Sequence, residues 1–161
     1  MQEEKRKVAP NRYPILNTYV NALSMDETVD YVKRVIARRT PPVQHVVINA
    51  LKVNLMEKDP ELREIVNSCP LINADGASIL WAAKKLGVPV TERVTGIDLF
   101  MRLVEEAAKN GYKIYLFGAK PEVVEIVRDI FMEQYPTLQI VGMRNGYFGP
   151  EDEPGIVADM A

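Results

Sequence analysis

Residues able to do chemistry fall in four places, and each follows a stretch of β character or lies in a loop: Asn49, Asp75-Gly76, Glu92-Arg93 and Gly118-Ala119-Lys120. In open α/β sheets, ligands collect beyond the carboxyl ends of the strands. Asp75 sits between an apolar run and a helix start, where exposed amides attract anions and Gly76 lets backbone approach closely. A carboxylate there could take a proton from an attacking hydroxyl. It could equally cap the helix that follows, and spacing alone favours the cap. Gly118-Ala119-Lys120 is a small-residue turn into a helix, which suits a phosphate or a plain turn with Pro121 at the first helical position. It contains neither GxGxxG nor GxxxxGK[ST]. Arg93 could hold a diphosphate bidentately or pair with Glu92 or another acid. Asn49 could orient a substrate hydroxyl or cap the next helix, and Asp98 reads chiefly as a cap.

The scarcity of soft ligands narrows the chemistry further. One cysteine, Cys69, excludes an intrachain disulfide framework and a multi-thiolate metal site, and its apolar neighbours mark it as a buried small hydrophobe. The one histidine, His45, opens an apolar run and reads as structural. Any reaction therefore rests on carboxylates, Lys, Arg, hydroxyls and backbone amides.

Alternating elements must position these groups. Tyr13 to Leu23 is β-prone, and Ser24 with Glu27 forms a capping-box pattern before Met25, Val29, Val32, Val35 and Ile36 at helical spacing. Arg38-Arg39 suit that helix's negative end, and Thr40-Pro41-Pro42 stops it. His45 to Ile48 is strand-like. Leu51 to Cys69 is helical, with an interruption expected at Asp59-Pro60. A short strand at 70–73 leads through Asp75-Gly76 into a helix over Ala77 to Leu86, closed by Gly87. Thr95 and Asp98 open another helix, which Asn110-Gly111 ends. Lys113 to Phe117, the helix from Pro121 to about Gln134, and Leu138 to Val141 form a βαβ unit, so those strands should be parallel. Val123, Val127, Ile130 and Phe131 are expected to be that helix's buried stripe. The fold class is α/β, a Rossmann-like open and mostly parallel sheet with helices on both faces. The organisation is one α/β domain over residues 1–161. Pro154 to Ala161 reads as the first turns of a helix whose continuation lies beyond the chain, so the C-terminus is expected to be incomplete.

Composition agrees with a globular domain: 161 residues, 47% hydrophobic, 26% charged. A formal net charge of −2 provides no field for nucleic acid, and the basic cluster Lys5-Arg6-Lys7 follows Glu3-Glu4 as a solvated terminus. No apolar run approaches the roughly 20 residues needed to span a bilayer, and no signal-peptide core is present. The expected location is cytoplasmic, with peripheral membrane contact open. From spacing alone the chain is a nucleotide- or phosphate-binding α/β domain of unspecified reaction.

Taken together, the same positions resemble the WecG/TagA/CpsF family of glycosyltransferases. The resemblance is carried by His45-Val-Val-Ile-Asn-Ala50, Ile72-Asn-Ala-Asp-Gly-Ala77, Glu92-Arg-Val-Thr-Gly-Ile-Asp98, Lys113-Ile-Tyr-Leu-Phe-Gly118 and Tyr135-Pro-Thr-Leu-Gln-Ile-Val-Gly142, followed by Asn145-Gly-Tyr-Phe148. These occur in the family's order from Tyr13 onward. The resemblance implies inverting transfer of N-acetylmannosamine or a related sugar from a UDP donor to polyprenyl-diphosphate-linked N-acetylglucosamine. The setting would be the inner membrane face, in teichoic acid, capsule or enterobacterial common antigen synthesis. Asp75 matches the family's proposed base, Arg93 a residue stabilising diphosphate charge, and Asn49 a pocket residue. Gly76, Gly118 and Lys120 would lie with the bound donor. No metal or other cofactor is required, since Arg and helix amides suit a diphosphate leaving group. The partners implied are the UDP-sugar, the lipid-linked acceptor, the membrane surface and further copies of the chain, without nucleic acid.

Two departures accompany it. Val47 stands where the family commonly has Thr. The family also continues into a Gly-rich strand, a Pro-Lys-Gln-Glu segment and a basic appendage, so the 161-residue chain is expected to bind donor weakly and turn over poorly. The competing readings are a non-catalytic nucleotide-sugar or scaffold module and a generic NAD-binding domain. The missing glycine fingerprint counts against the second.

Overall fold

In the computed structural model, residues 8–38 and 42–160 are described. Lys5 to Lys7, Arg39, Thr40-Pro41 and Ala161 lie outside them. The chain divides into two compact units, Met1–Phe100 and Met101–Ala161.

The first unit opens with an antiparallel hairpin, β1 (Arg12–Ile15) and β2 (Thr18–Asn21), paired from Arg12↔Asn21 to Ile15↔Thr18. The β-prone stretch from Tyr13 to Leu23 is thus two strands and not one. The reversal falls at Leu16-Asn17, where Leu16 takes φ +52° without a glycine to mark the turn. Asn17 holds the turn from outside by donating to the Val53 carbonyl at 3.2 Å and to Glu57 Oε2 at 3.0 Å.

Helix α1 (Met25–Arg38) starts with the expected box: Ser24 N–H donates to Glu27 Oε2 at 2.8 Å, and Glu27 N–H to Ser24 Oγ at 3.2 Å. Strand β3 (His45–Ile48) follows, then α2 (Ala50–Lys58) and α3 (Pro60–Ser68). The break between these helices is at Asp59, which caps α3 by accepting from Leu62 N–H at 2.9 Å, with Pro60 in the first turn. Strand β4 (Leu71–Ala74) runs parallel to β3, in register from His45↔Leu71 to Ile48↔Ala74. Helix α4 (Ala77–Leu86) ends at Gly87 in the left-handed conformation, φ +69°.

All of β4 is buried. One edge pairs with β3; on the other side the Asn21 side chain takes the place of a strand. Its Oδ1 accepts from Ile72 N–H at 2.8 Å, while Nδ2 donates to the Ala9 and Pro10 carbonyls, both at 2.9 Å. The apolar core around β3 and β4 comprises Ile15, Val20, Ile48, Met56, Val66, Ile72, Ile79 and Ala83 with their neighbours. Cys69 belongs to it at 1% exposure.

Helix α5 (Gly96–Asn110) carries the chain into the second unit, where β5 (Lys113–Phe117) and β6 (Gln139–Arg144) are parallel and joined by α6 (Pro121–Gln134). Strand β6 continues past Val141, with a register irregularity at Ile114/Tyr115 that sets Tyr115 opposite Gly142. A methyl group at Gly142 would fall 2.5 Å from Tyr115 Cε2, so the aromatic ring occupies the space of the absent side chain. The buried face of α6 is Val124 and Phe131, with Val127 partly covered. Val127 and Phe131 thus lie on the face expected, whereas Val123 and Ile130 are exposed and Val124 takes the place of Val123. A 3₁₀ turn (Pro150–Asp152) leads into α7 (Glu153–Met160). Among the described residues the result is an α/β arrangement with two separate parallel strand pairs and one antiparallel hairpin.

Candidate functional site

In the first unit, the register Ile48↔Ala74 puts Asn49 and Asp75 immediately beyond adjacent strand ends, which lie about 4.8 Å apart in a sheet. Asp75 N–H donates to the Ile48 carbonyl at 2.8 Å, extending the ladder by one bond. The loop bearing Arg93 is tied to the same edge, because Val94 N–H donates to the Ala74 carbonyl at 2.9 Å and Val94 is fully buried. Gly96 then passes over β3, where an added Cβ would lie 3.6 Å from Val47 Cγ2. The backbone thereby gathers Asn49, Asp75, Gly76 and Arg93 at one carboxyl edge.

Their side chains have different commitments. Asn49 caps α2, its Oδ1 accepting from Lys52 N–H at 2.9 Å. Asp75 is not the cap of α4; Gly76 holds that position at φ +107°, without a side-chain capping bond. Among the described residues, the half-buried Asp75 carboxylate accepts no hydrogen bond and meets no cation. Helix α4 begins two residues after it, with Ile79 N–H donating to the Gly76 carbonyl at 3.2 Å. Arg93 is exposed and makes no hydrogen bond or ion pair among the described residues. Glu92, its expected partner, instead accepts from Met25 N–H at 3.3 Å. Thr95 and Asp98 cap α5, with Asp98 N–H donating to Thr95 Oγ1 at 3.1 Å.

Beneath this edge lies a polar chain that the spacing of the sequence did not announce. His45 Nε2 donates to Asn73 Oδ1 at 3.0 Å, and Asn73 Nδ2 donates to Thr28 Oγ1 at 3.1 Å, with Asn73 and Thr28 fully buried. Burial lowers the His45 pKa below its usual value; the Lys52 charge adds to this, and the Asn73 hydrogen bond partly opposes it. The imidazole is therefore neutral at pH 7 and serves as a strut. Lys52 Nζ donates to the Val47 carbonyl at 2.9 Å, fastening α2 to β3 just before Asn49.

Gly118 and Lys120 belong to the second unit. Gly118, at φ +128°, donates its N–H to the Arg144 carbonyl at 2.9 Å; Ala119, at φ +60°, accepts from Gly146 N–H at 2.9 Å. These bonds clamp the turn after β5 against the loop after β6. An added Cβ on Gly146 would sit 3.1 Å from Gly118 Cα, which explains the glycine there. The exposed Lys120 is the backbone cap of α6 and makes no side-chain capping bond; its carbonyl accepts from Val123 and Val124 N–H, both at 3.0 Å, and Pro121 has no N–H to offer.

Among the described residues, no group of three His, Cys, Asp or Glu side chains converges as a metal ion would require, and no helix is long and apolar enough to cross a membrane. The family model described as Glycosyl transferase WecG/TagA/CpsF family matches residues 13–161. The match spans every motif that carried the resemblance and all the strand ends just described. The chain belongs to the WecG/TagA/CpsF family of glycosyltransferases, which act in cell-surface polysaccharide synthesis.

Proposed function

We propose that the chain moves N-acetylmannosamine, or a related N-acetylated sugar, from UDP to the hydroxyl of a polyprenyl-diphosphate-linked N-acetylglucosamine. The observation carrying this reading is the Asp75 carboxylate, which stands at a strand end free of structural hydrogen bonds. In one displacement the acceptor oxygen bonds to the anomeric carbon, the bond from that carbon to the UDP oxygen breaks, and the acceptor proton passes to Asp75. Attack from the face opposite the leaving group inverts the anomeric centre.

The uncommitted Arg93 guanidinium offsets charge on the departing diphosphate. Asn49, held by its cap, keeps its amide nitrogen available for a sugar oxygen. Gly76 gives close access beside Asp75. Within the second unit, the Gly118 turn and the exposed Lys120 suit a nucleotide phosphate. Each parallel pair is the kind of strand-helix-strand unit from which Rossmann-like sheets are built, and the lipid acceptor brings the protein to the inner membrane face, where it works as a homo-oligomer in teichoic acid-type synthesis. Incubation with UDP-N-acetylmannosamine and a short-chain lipid-linked acceptor tests this directly. Acceptor-dependent release of UDP, with a disaccharide of inverted anomeric configuration by NMR, is the expected result; UDP release without disaccharide counts against it.

A further inference from the structure

We propose that Phe117 and Phe148 form the platform on which the planar base of the donor nucleotide stacks. The inference rests on reading the Gly118 turn as part of the donor site, and adds a residue-level contact to it. Phe117 ends β5 and Phe148 lies in the loop after β6. Their ring centroids are 5.5 Å apart with planes inclined by 40°. They remain 46% and 41% exposed, whereas Leu116, the residue before Phe117, is 5% exposed and faces the core. Two aromatic rings are thus held together at a strand end without being covered.

Their position is set by backbone and not by chance contact. The bonds from Gly118 N–H to Arg144 and from Gly146 N–H to Ala119 lock together the segments that bear the rings. Asn145 Oδ1 also accepts from Tyr147 N–H at 2.9 Å, fixing the chain just before Phe148. A rigid aromatic surface costs little ordering entropy when a flat ligand stacks on it.

Charge next to the platform suits the rest of a nucleoside diphosphate. The exposed Lys120 follows Phe117 by three residues, just before α6. Arg144 is the register partner of Phe117, and its Nε is shielded from solvent with no hydrogen-bond partner among the described residues. Its guanidinium is only loosely engaged by Asp152, at 3.5 Å. A flat apolar surface bordered by cations fits a base carrying phosphates better than a neutral sugar or an aliphatic chain.

The test is saturation-transfer NMR and calorimetry on the full chain with UDP and, separately, inorganic pyrophosphate. The strongest saturation is expected on uracil H5 and H6. Phe148→Leu, which keeps an apolar side chain but removes the ring, should weaken UDP about five- to hundred-fold. Phe148→Tyr should bind as the original, and pyrophosphate affinity should be the same in all three. UDP binding that survives Phe148→Leu overturns the platform alone. Absence of UDP binding by the unaltered chain overturns the donor reading and the platform with it.

Discussion

Replacing Asp75 by Asn is expected to lower acceptor-dependent UDP release by about 10²- to 10⁴-fold, the usual contribution of a positioned general base. The substitution keeps shape and removes only the ability to take a proton. Because Gly76 holds the cap position of α4 and the Asp75 carboxylate supports no hydrogen bond among the described residues, the thermal midpoint should stay unchanged. UDP affinity should hold or tighten slightly, since one negative charge near the diphosphate is lost. This separation distinguishes a base from a helix cap. Losing a cap would cost about 1 kcal/mol of stability and leave chemistry largely intact. A coupled UDP-release assay, circular dichroism melting and calorimetry on the same preparation measure all three quantities. Release that stays within tenfold of the original protein would remove Asp75 from the mechanism.

The largest effect on stability is expected at Asn21. This residue is 1% exposed and supplies one acceptor and two donated bonds between β4 and the segment before the hairpin. Truncation to Ala strands the Ile72 N–H and the carbonyls of Ala9 and Pro10. Each buried group left unpaired costs about 1–3 kcal/mol, so a loss of about 3–5 kcal/mol is expected, against a typical total of about 5–15. The urea midpoint should fall accordingly, with the slope little changed. Asn21→Asp is a sharper control: it can still accept from Ile72 but cannot donate, and it brings a charge into a buried site. A midpoint near the original for Asn21→Ala would mean that β4 does not depend on this side chain. Since Asp75 follows β4 directly, the same variant should also reduce transfer through loss of the folded population.

Local signals account for what was legible in the sequence. The boxes at Ser24/Glu27 and Thr95/Asp98, the interruption at Asp59-Pro60 and the Gly87 stop each depend on residues within a few positions, and each is found where expected. The two parallel pairs followed from β-then-α alternation. Features set by distant partners were not legible. The turn at Leu16-Asn17 is held by Val53 and Glu57, and no glycine marks it. Asn21 and Asn73 look like ordinary polar residues in β-prone runs until Ile72 and Thr28 are seen to require them. The α6 stripe was right at Val127 and Phe131 and wrong at Val123 and Ile130, because apolar side chains surround most of that helix and leave its exact phase to packing. At the site, spacing could not choose between cap and ligand. The fold gives the caps alone: Asn49 caps α2, and Asp75 leaves the cap of α4 to Gly76.

The central claim is that a diphosphate meets Arg93 at the edge where Asp75 stands free. Calorimetric titration of the chain with UDP and UDP-N-acetylmannosamine, repeated with Arg93→Ala, tests it most directly. Loss of a charged, bidentate contact predicts affinity for both ligands weaker by about tenfold or more, with melting unchanged because the exposed Arg93 supports nothing structural. Equal affinity in the two proteins, or no binding of either ligand, would contradict the account.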